Sequence, residues 1–133
     1  MGATMIFHTF ENQDERREYN GSAFMEIQPC LLPKGTEIEK IVAVDSIINW
    51  KDDSLYISDE NEFYVHYKSI FSSGIYNNLQ SGIVDIYGIN YYPPEQLERI
   101  IDDIINTKPL NYEPLLKWLE QNKNHNGIYI LGI

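Results

Sequence analysis

GIYILGI, residues 127–133, contains aliphatic residues, glycine and one tyrosine, and no polar residue interrupts it. A strand with one solvated face alternates between apolar and polar residues, whereas a strand covered on both faces is apolar throughout. The sequence therefore predicts a buried C-terminal strand that is inserted between other strands of a sheet.

Two helices are predicted before this strand. Pro93 and Pro94 stand where the first turn of a helix tolerates proline. The apolar residues that follow recur at helical spacing and form one stripe, made of Leu97, Ile100, Ile101, Ile104 and Ile105. Asn111 is the predicted cap of the second helix, whose inward residues are Tyr112, Leu115, Leu116 and Leu119. This helix is predicted to end in a left-handed turn between Asn124 and Gly127.

The earlier part of the chain is predicted to consist mainly of strands. Alternating or β-branched residues indicate strands at 5–10, 23–31, 37–50, 54–58, 62–71 and 83–92. The charged segment 11–21 is predicted to be a loop, residues 59–61 a turn, and residues 72–82 a loop or a short helical excursion. A helical interpretation of 37–50 fits the apolar spacing less well. The fold class is therefore α+β: an antiparallel meander, two C-terminal helices packed on it, and the buried C-terminal strand.

The length of 133 residues corresponds to a single domain, residues 1–133. Met5 is a second candidate for the first residue, in which case Met1 to Thr4 would be an appended leader. The single cysteine, Cys30, excludes an internal disulfide and a two-cysteine metal clamp. The first twenty residues lack the basic start and apolar run of a secretion signal. We therefore expect a cytoplasmic protein.

Net charge is the strongest signal in the composition. Twenty acidic residues against ten basic residues give a net charge of −10. Such a field repels nucleic-acid phosphates and anionic lipids and attracts basic protein surfaces, so neither nucleic acid nor membrane is an expected partner. The alternative interpretation is that the acidic residues serve only solubility.

No motif in the sequence predicts a reaction. The acidic stretch around Asp52 and Asp53 lacks the ligand spacing and glycine of a calcium loop. His8, His66 and His125 are scattered, which does not suit zinc. Nucleophile elbows, phosphate loops and dinucleotide fingerprints are absent from the sequence. A buried, inert Cys30 is a simpler interpretation than a nucleophile. We predict a non-enzymatic protein with no catalytic residues, no metal ligands and no cofactor.

The candidate site is a set of acidic and aromatic residues that would bind a protein partner. Acids attract a basic partner over long range, and tyrosines are effective anchors in interfaces. The predicted partner-binding residues are Asp52, Asp53, Tyr56, Asp59, Glu60, Glu62, Tyr64 and His66. An alternative epitope on the first C-terminal helix consists of Glu98, Asp102 and Asp103. The competing interpretation is that the tyrosines are core residues and the acids are the solvated side of a hairpin and a helix.

Two segments, SGIVDIYGINYYPPEQLERII (81–101) and NYEPLLKWLEQNKNHNGIYILGI (111–133), resemble small bacterial immunity proteins of polymorphic toxin and contact-dependent growth inhibition systems. The resemblance covers mainly residues 81–133. It implies a cytoplasmic protein that binds a cognate toxin domain, often a basic nuclease, and masks its active site. Two alternatives remain: a regulatory or structural module that acts as a homodimer, and a small hydrolase with a carboxylate site.

Overall fold

The computed structural model describes residues 5–20, 24–48 and 50–132, and these residues form an α+β fold with a seven-stranded antiparallel sheet. The strands are β1 (Phe7–His8), β2 (Met25–Pro29), β3 (Leu55–Ile57), β4 (Gly74–Tyr76), β5 (Ser81–Gly82), β6 (Ile89–Tyr92) and β7 (Ile128–Leu131). The helices are α1 (Gln13–Asn20), α2 (Ile38–Ile41), α3 (Glu60–Tyr67), α4 (Pro94–Thr107) and α5 (Tyr112–Asn122), with a 3₁₀ turn at Val44–Ser46. Met1 to Thr4, which would be an appended leader if Met5 were the first residue, lie outside the described residues.

Strand β7 lies at the centre of the sheet, as the sequence predicts. The strand order is β1-β3-β2-β7-β6-β4-β5, and all four residues of β7 are buried. Ile130 pairs with Ile27 of β2 on one side and with Asn90 of β6 on the other. The order departs from the predicted meander, because α3 follows β3 and carries the chain across the sheet to β4.

Both faces of the sheet are covered over its centre, which explains the apolar sequence of β7. Ile128 and Ile130 pack into the larger core with residues of α3, α4 and α5. Tyr129 and Leu131 point to the opposite face, into a smaller core with Ile41 of α2. Because alternate residues of a strand point to opposite faces, this strand needs an apolar residue at every position.

Helices α4 and α5 confirm the two predicted C-terminal helices. Pro94 occupies the first turn of α4, and the buried residues of that helix belong to the predicted stripe. Asn111 precedes α5 as predicted, but its side chain does not cap the helix. Its Oδ1 instead accepts hydrogen bonds from the backbone amides of Ile6 at 2.8 Å and Phe7 at 3.0 Å, so it fastens β1 to the start of α5.

The predicted strand at 62–71 is wrong, because these residues belong mainly to helix α3. Phe63, Tyr67 and Phe71 recur every four residues and are all buried, which is the spacing of one helix face. The predicted turn at 59–61 is the start of that helix. The carboxylate of Asp59 accepts a hydrogen bond from the backbone amide of Glu62 at 3.0 Å and caps the first turn.

The predicted strand at 37–50 is also wrong. Ile41 and Val42 follow Ile38 by three and four residues, which places all three on one helix face. Ile38 and Ile41 belong to α2 and Val42 is the residue after it, and all three pack into the smaller core. Val44 then lies on a 3₁₀ turn and is exposed, so it does not share a buried face with Val42. Charged residues occupy the outward positions Glu37, Glu39 and Lys40, as expected of a short surface helix.

Two predicted loops contain regular structure. The segment 11–21 holds helix α1, near whose start Asn12 Oδ1 accepts from the backbone amide of Glu15 at 2.9 Å. The segment 72–82 holds the hairpin of β4 and β5. Strand β6 begins only at Ile89, so the first six residues of the predicted strand 83–92 lie in a loop.

The Asp59 cap gives a direct test of helix α3. We expect Asp59→Ala to lower the free energy of unfolding by about 1 kcal/mol, because the amide of Glu62 loses its acceptor. Urea denaturation followed by circular dichroism measures this difference. Glu60→Ala is the matched control in the same first turn and should change stability by less. Equal stability of Asp59→Ala and the wild type would contradict the capping role.

Candidate partner-binding surface

The structure divides the predicted acidic segment between two ends of strand β3. Asp52 and Asp53 precede the strand, whereas Asp59, Glu60 and Glu62 follow it at the start of α3. The three residues of β3 are all buried and lie between the two groups, over roughly 10 Å at ~3.3 Å per extended residue. A buried strand therefore splits these acids into two groups.

The residues before and within β3 make contacts inside the protein. Gln13 Nε2 of α1 donates to the carboxylate of Asp52 at 3.0 Å, and the ammonium of Lys51 lies 3.9 Å from Asp53. Tyr56 is fully buried, and its hydroxyl donates to the backbone oxygen of Lys51. Burial raises the pKa of Tyr56 above its ordinary value. Tyr56 is therefore a core residue, and its predicted role as a contact residue is corrected.

The acids of α3 are also largely engaged. Asp59 caps the helix, and Glu62 lies 3.2 Å from Nε2 of His66, which is exposed. The ammonium of Lys68 lies 5.4 Å from the ring centre of Tyr64, which is half-buried. Glu60 is half-buried. Among the described residues it neither caps the helix nor forms an ion pair, unlike Asp59 and Glu62.

Helix α4, which carries the alternative epitope, has a different arrangement of charge. Arg99 donates to the carboxylate of Asp103 at 2.8 Å, which neutralises that acid. Glu98 and Asp102 are exposed, and no basic side chain of the described residues lies within 4.0 Å of either carboxylate. The two residues are four apart on the helix, a spacing at which like charges repel each other.

A groove of about 410 Å³ lies between α4 and α5 and includes these two acids. We call it the acidic groove; its lining residues are Pro94, Leu97, Glu98, Ile101, Asp102, Ile105, Glu120, Lys123 and Asn124. Leu97 and Ile101 form a buried floor, and Ile105 is 45% exposed. On the opposite wall Lys123 donates to Glu120 at 2.9 Å, so Glu98 and Asp102 provide the unneutralised charge.

The chemistry of the acidic groove suits binding of a cationic group beside an apolar one. Asp103 does not line the groove, so the alternative epitope is reduced to Glu98 and Asp102 with the addition of Ile105. The described residues include no group of three histidine, cysteine or acidic side chains arranged to hold a metal ion. Cys30 is buried, with its Sγ 3.6 Å from the hydroxyl of Tyr129.

A buried carboxylate on β2, that of Glu26, shapes the loop before β3 and is not among the predicted site residues. Glu26 accepts hydrogen bonds from the amides of Trp50 at 2.6 Å and Lys51 at 3.1 Å, from Ser54 Oγ at 2.8 Å and from Gln28 Nε2 at 3.0 Å. Its side chain is almost completely shielded from solvent. The sequence did contain a sign of this buried carboxylate. Glu26 and Gln28 alternate with apolar residues, which indicates that one face of the strand carries polar side chains.

Three further tyrosines, in and just before β6, separate into core and surface residues. Tyr91 and Tyr92 are buried, and burial raises the pKa of both hydroxyls. Tyr87, in contrast, is 72% exposed. The competing interpretation of tyrosines as core residues therefore holds for Tyr91 and Tyr92 but not for Tyr87.

No helix among the described residues has the length and apolar character needed to cross a membrane. Comparisons of the chain with protein-family models, with curated proteins and with solved structures found no match.

Proposed function

We propose that this chain is a non-enzymatic inhibitor of the immunity type, which binds a basic surface of a cognate toxin domain through the acidic groove. The observation that carries the proposal is the pair Glu98 and Asp102, which stand unneutralised beside the partly exposed Ile105. The resemblance of residues 81–133 to immunity proteins supplies the role, and these residues include the whole groove.

The net charge of −10 supports the same role. A partner of opposite charge is attracted at distances beyond direct contact, which raises the association rate. Contact with Ile105 and the walls of the groove would then slow dissociation, since burial of apolar surface is favourable. The repulsion between Glu98 and Asp102 is relieved when a lysine or arginine of the partner lies between them.

A nuclease is a suitable target for such an inhibitor. Its active site is built to attract phosphates, so a carboxylate surface competes for the same positive charge. Masking by the acidic groove would exclude the nucleic acid without any bond being made or broken. The carboxylates act here as fixed charges, and we assign them no catalytic step.

The experiment is a titration of the proposed cognate toxin domain with increasing amounts of the purified chain. We expect toxin activity to fall in proportion to the added chain and to reach its minimum at an equimolar ratio. Inactivation by a small fraction of an equivalent would point to an enzyme and contradict the proposal. Full toxin activity at excess chain would also contradict it.

A further inference from the structure

A second cleft opens on the sheet face opposite α4 and α5. It has a volume of about 460 Å³, and its lining residues include Val44, Asn77, Asp85, Tyr87 and Gly88. We call it the Tyr87 cleft. Ile47, Ile89 and Leu131 belong to the smaller core, which places the cleft on the face away from the acidic groove. None of the predicted partner-binding residues lines it.

The turn that carries Tyr87 is held by hydrogen bonds on several sides. The buried side chain of Asn90 accepts from the amide of Asp85 at 2.8 Å and donates to the oxygen of Asp85 at 2.8 Å. Asp85 Oδ1 accepts from the amide of Tyr87 at 3.0 Å. Gly132 donates to the oxygen of Gly88 at 2.8 Å, which ties the turn to the residue after β7.

Because these hydrogen bonds hold the turn in place, Tyr87 is a pre-organised anchor for a partner. The backbone of the turn is already ordered, so a partner that contacts the ring loses little additional conformational entropy. Tyrosine has few rotatable bonds and is enriched among residues that dominate interface energies. A large ring that is 72% exposed on a rigid turn therefore favours a binding role over a structural one.

The opposite wall of the cleft is apolar as well. Val44 is 65% exposed on the 3₁₀ turn, and Ile47 of the same segment is half-buried beside it. Exposed apolar side chains that share one cleft are typical of interaction sites.

The polar groups of the cleft define the chemistry of its occupant. Asp85 is the one charged residue among the described lining residues, and Asp45 is exposed next to Val44. The side chain of Asn77 makes no hydrogen bond to another residue in the described part of the chain, so its donor and acceptor are open to a peptide backbone. The cleft thus combines apolar walls, one amide and negative charge.

We propose that the Tyr87 cleft binds a protein segment in which an aliphatic or aromatic side chain stands next to a lysine or arginine. The apolar side chain would lie between Val44 and Tyr87, and the cation would reach Asp85 and the face of the Tyr87 ring. A second copy of this chain is a poor occupant, because each copy carries a charge of −10. This site goes beyond the proposed inhibitor function, since it leaves the acidic groove free.

The test is a titration of the ¹⁵N-labelled chain with the probe acetyl-Lys-Leu-Lys-amide, followed by NMR. Acetyl-Glu-Leu-Glu-amide and acetyl-Lys-Ser-Lys-amide are the matched probes for charge and for the apolar side chain. We expect saturable shifts at Asn77, Tyr87 and Gly88 with the first probe, and at least tenfold weaker binding of the other two. Tyr87→Ala and Val44→Ser should each weaken binding of the first probe by a similar factor.

Two control variants separate this cleft from the rest of the surface. Val65→Ser removes an exposed apolar residue from α3 and should leave the titration unchanged. The double variant Glu98→Lys with Asp102→Lys should still show saturable shifts at Tyr87, with binding of the first probe weakened by much less than in Tyr87→Ala.

Four outcomes would overturn the proposal. They are absence of saturable shifts, equal shifts with the acidic probe, shifts confined to 94–107, and concentration-dependent shifts at Tyr87 without any probe. The last result would identify a second copy of the chain as the occupant.

Discussion

Glu26→Ala is expected to lower the free energy of unfolding by about 3 kcal/mol, because several buried donors lose one shared acceptor. The carboxylate accepts from the amides of Trp50 and Lys51 and from the side chains of Ser54 and Gln28. Alanine supplies no replacement acceptor, and the site is shielded from water. The loss exceeds that of an ordinary surface substitution because hydrogen bonds to a charged group are the stronger ones.

Urea denaturation at neutral pH measures the effect, and two variants locate its cause. Glu26→Gln keeps the shape and one oxygen acceptor, so we expect a loss smaller than that of the alanine variant. Gln28→Ala removes one neutral donor to Glu26 and the bond from Gln28 to the oxygen of Ile48, and should cost about 1 kcal/mol. A change below that level for Glu26→Ala would contradict the structural role of the carboxylate.

The second large effect is expected on partner binding. The double variant Glu98→Lys with Asp102→Lys should slow association with the proposed toxin partner by about one to two orders of magnitude at low ionic strength. The reversal replaces attraction by repulsion at the contact and raises the net charge of −10 by four units. Stopped-flow association measured at several salt concentrations should also show a weaker salt dependence than the wild type.

A matched control separates the acidic groove from net charge alone. Glu37→Lys with Glu39→Lys makes the same change of charge on exposed residues in and beside α2, on the opposite face of the sheet. We expect this variant to slow association by a much smaller factor. Equal slowing by both double variants would show that total charge, and not the groove, controls the encounter.

The parts of the fold that sequence predicts well are those with only one physically acceptable arrangement. The apolar residues of α4 recur at intervals of three and four residues along the helix. A strand could not place residues with this spacing on one face. Strand β7 is apolar at every position and suits only the middle of a covered sheet.

Helix α3 shows where sequence patterns fail. Phe63, Val65 and Tyr67 alternate as in a strand, whereas Phe63, Tyr67 and Phe71 recur as in a helix. The cap at Asp59 and the shared aromatic core favour the helix, and Val65 is then exposed. A short segment that satisfies both periodicities is decided by its tertiary contacts.

The candidate site was predictable in composition but only partly in arrangement. The pairing of Arg99 with Asp103 follows from their spacing of four residues, which also leaves Glu98 and Asp102 as two like charges. The burial of Tyr56 and the engagement of Asp52 by Gln13 depend on residues distant in sequence, so periodicity alone carried no signal for either.

Carboxyl-group footprinting of the chain, alone and in complex with the toxin domain, tests the central claim most directly. The reagent labels accessible carboxylates, and peptide mass spectrometry reports the extent at each site. We predict that complex formation protects Glu98 and Asp102, while Glu37 and Glu39 stay as reactive as in the free chain. Protection of Glu60 and Glu62 with Glu98 and Asp102 fully reactive would contradict binding through the acidic groove.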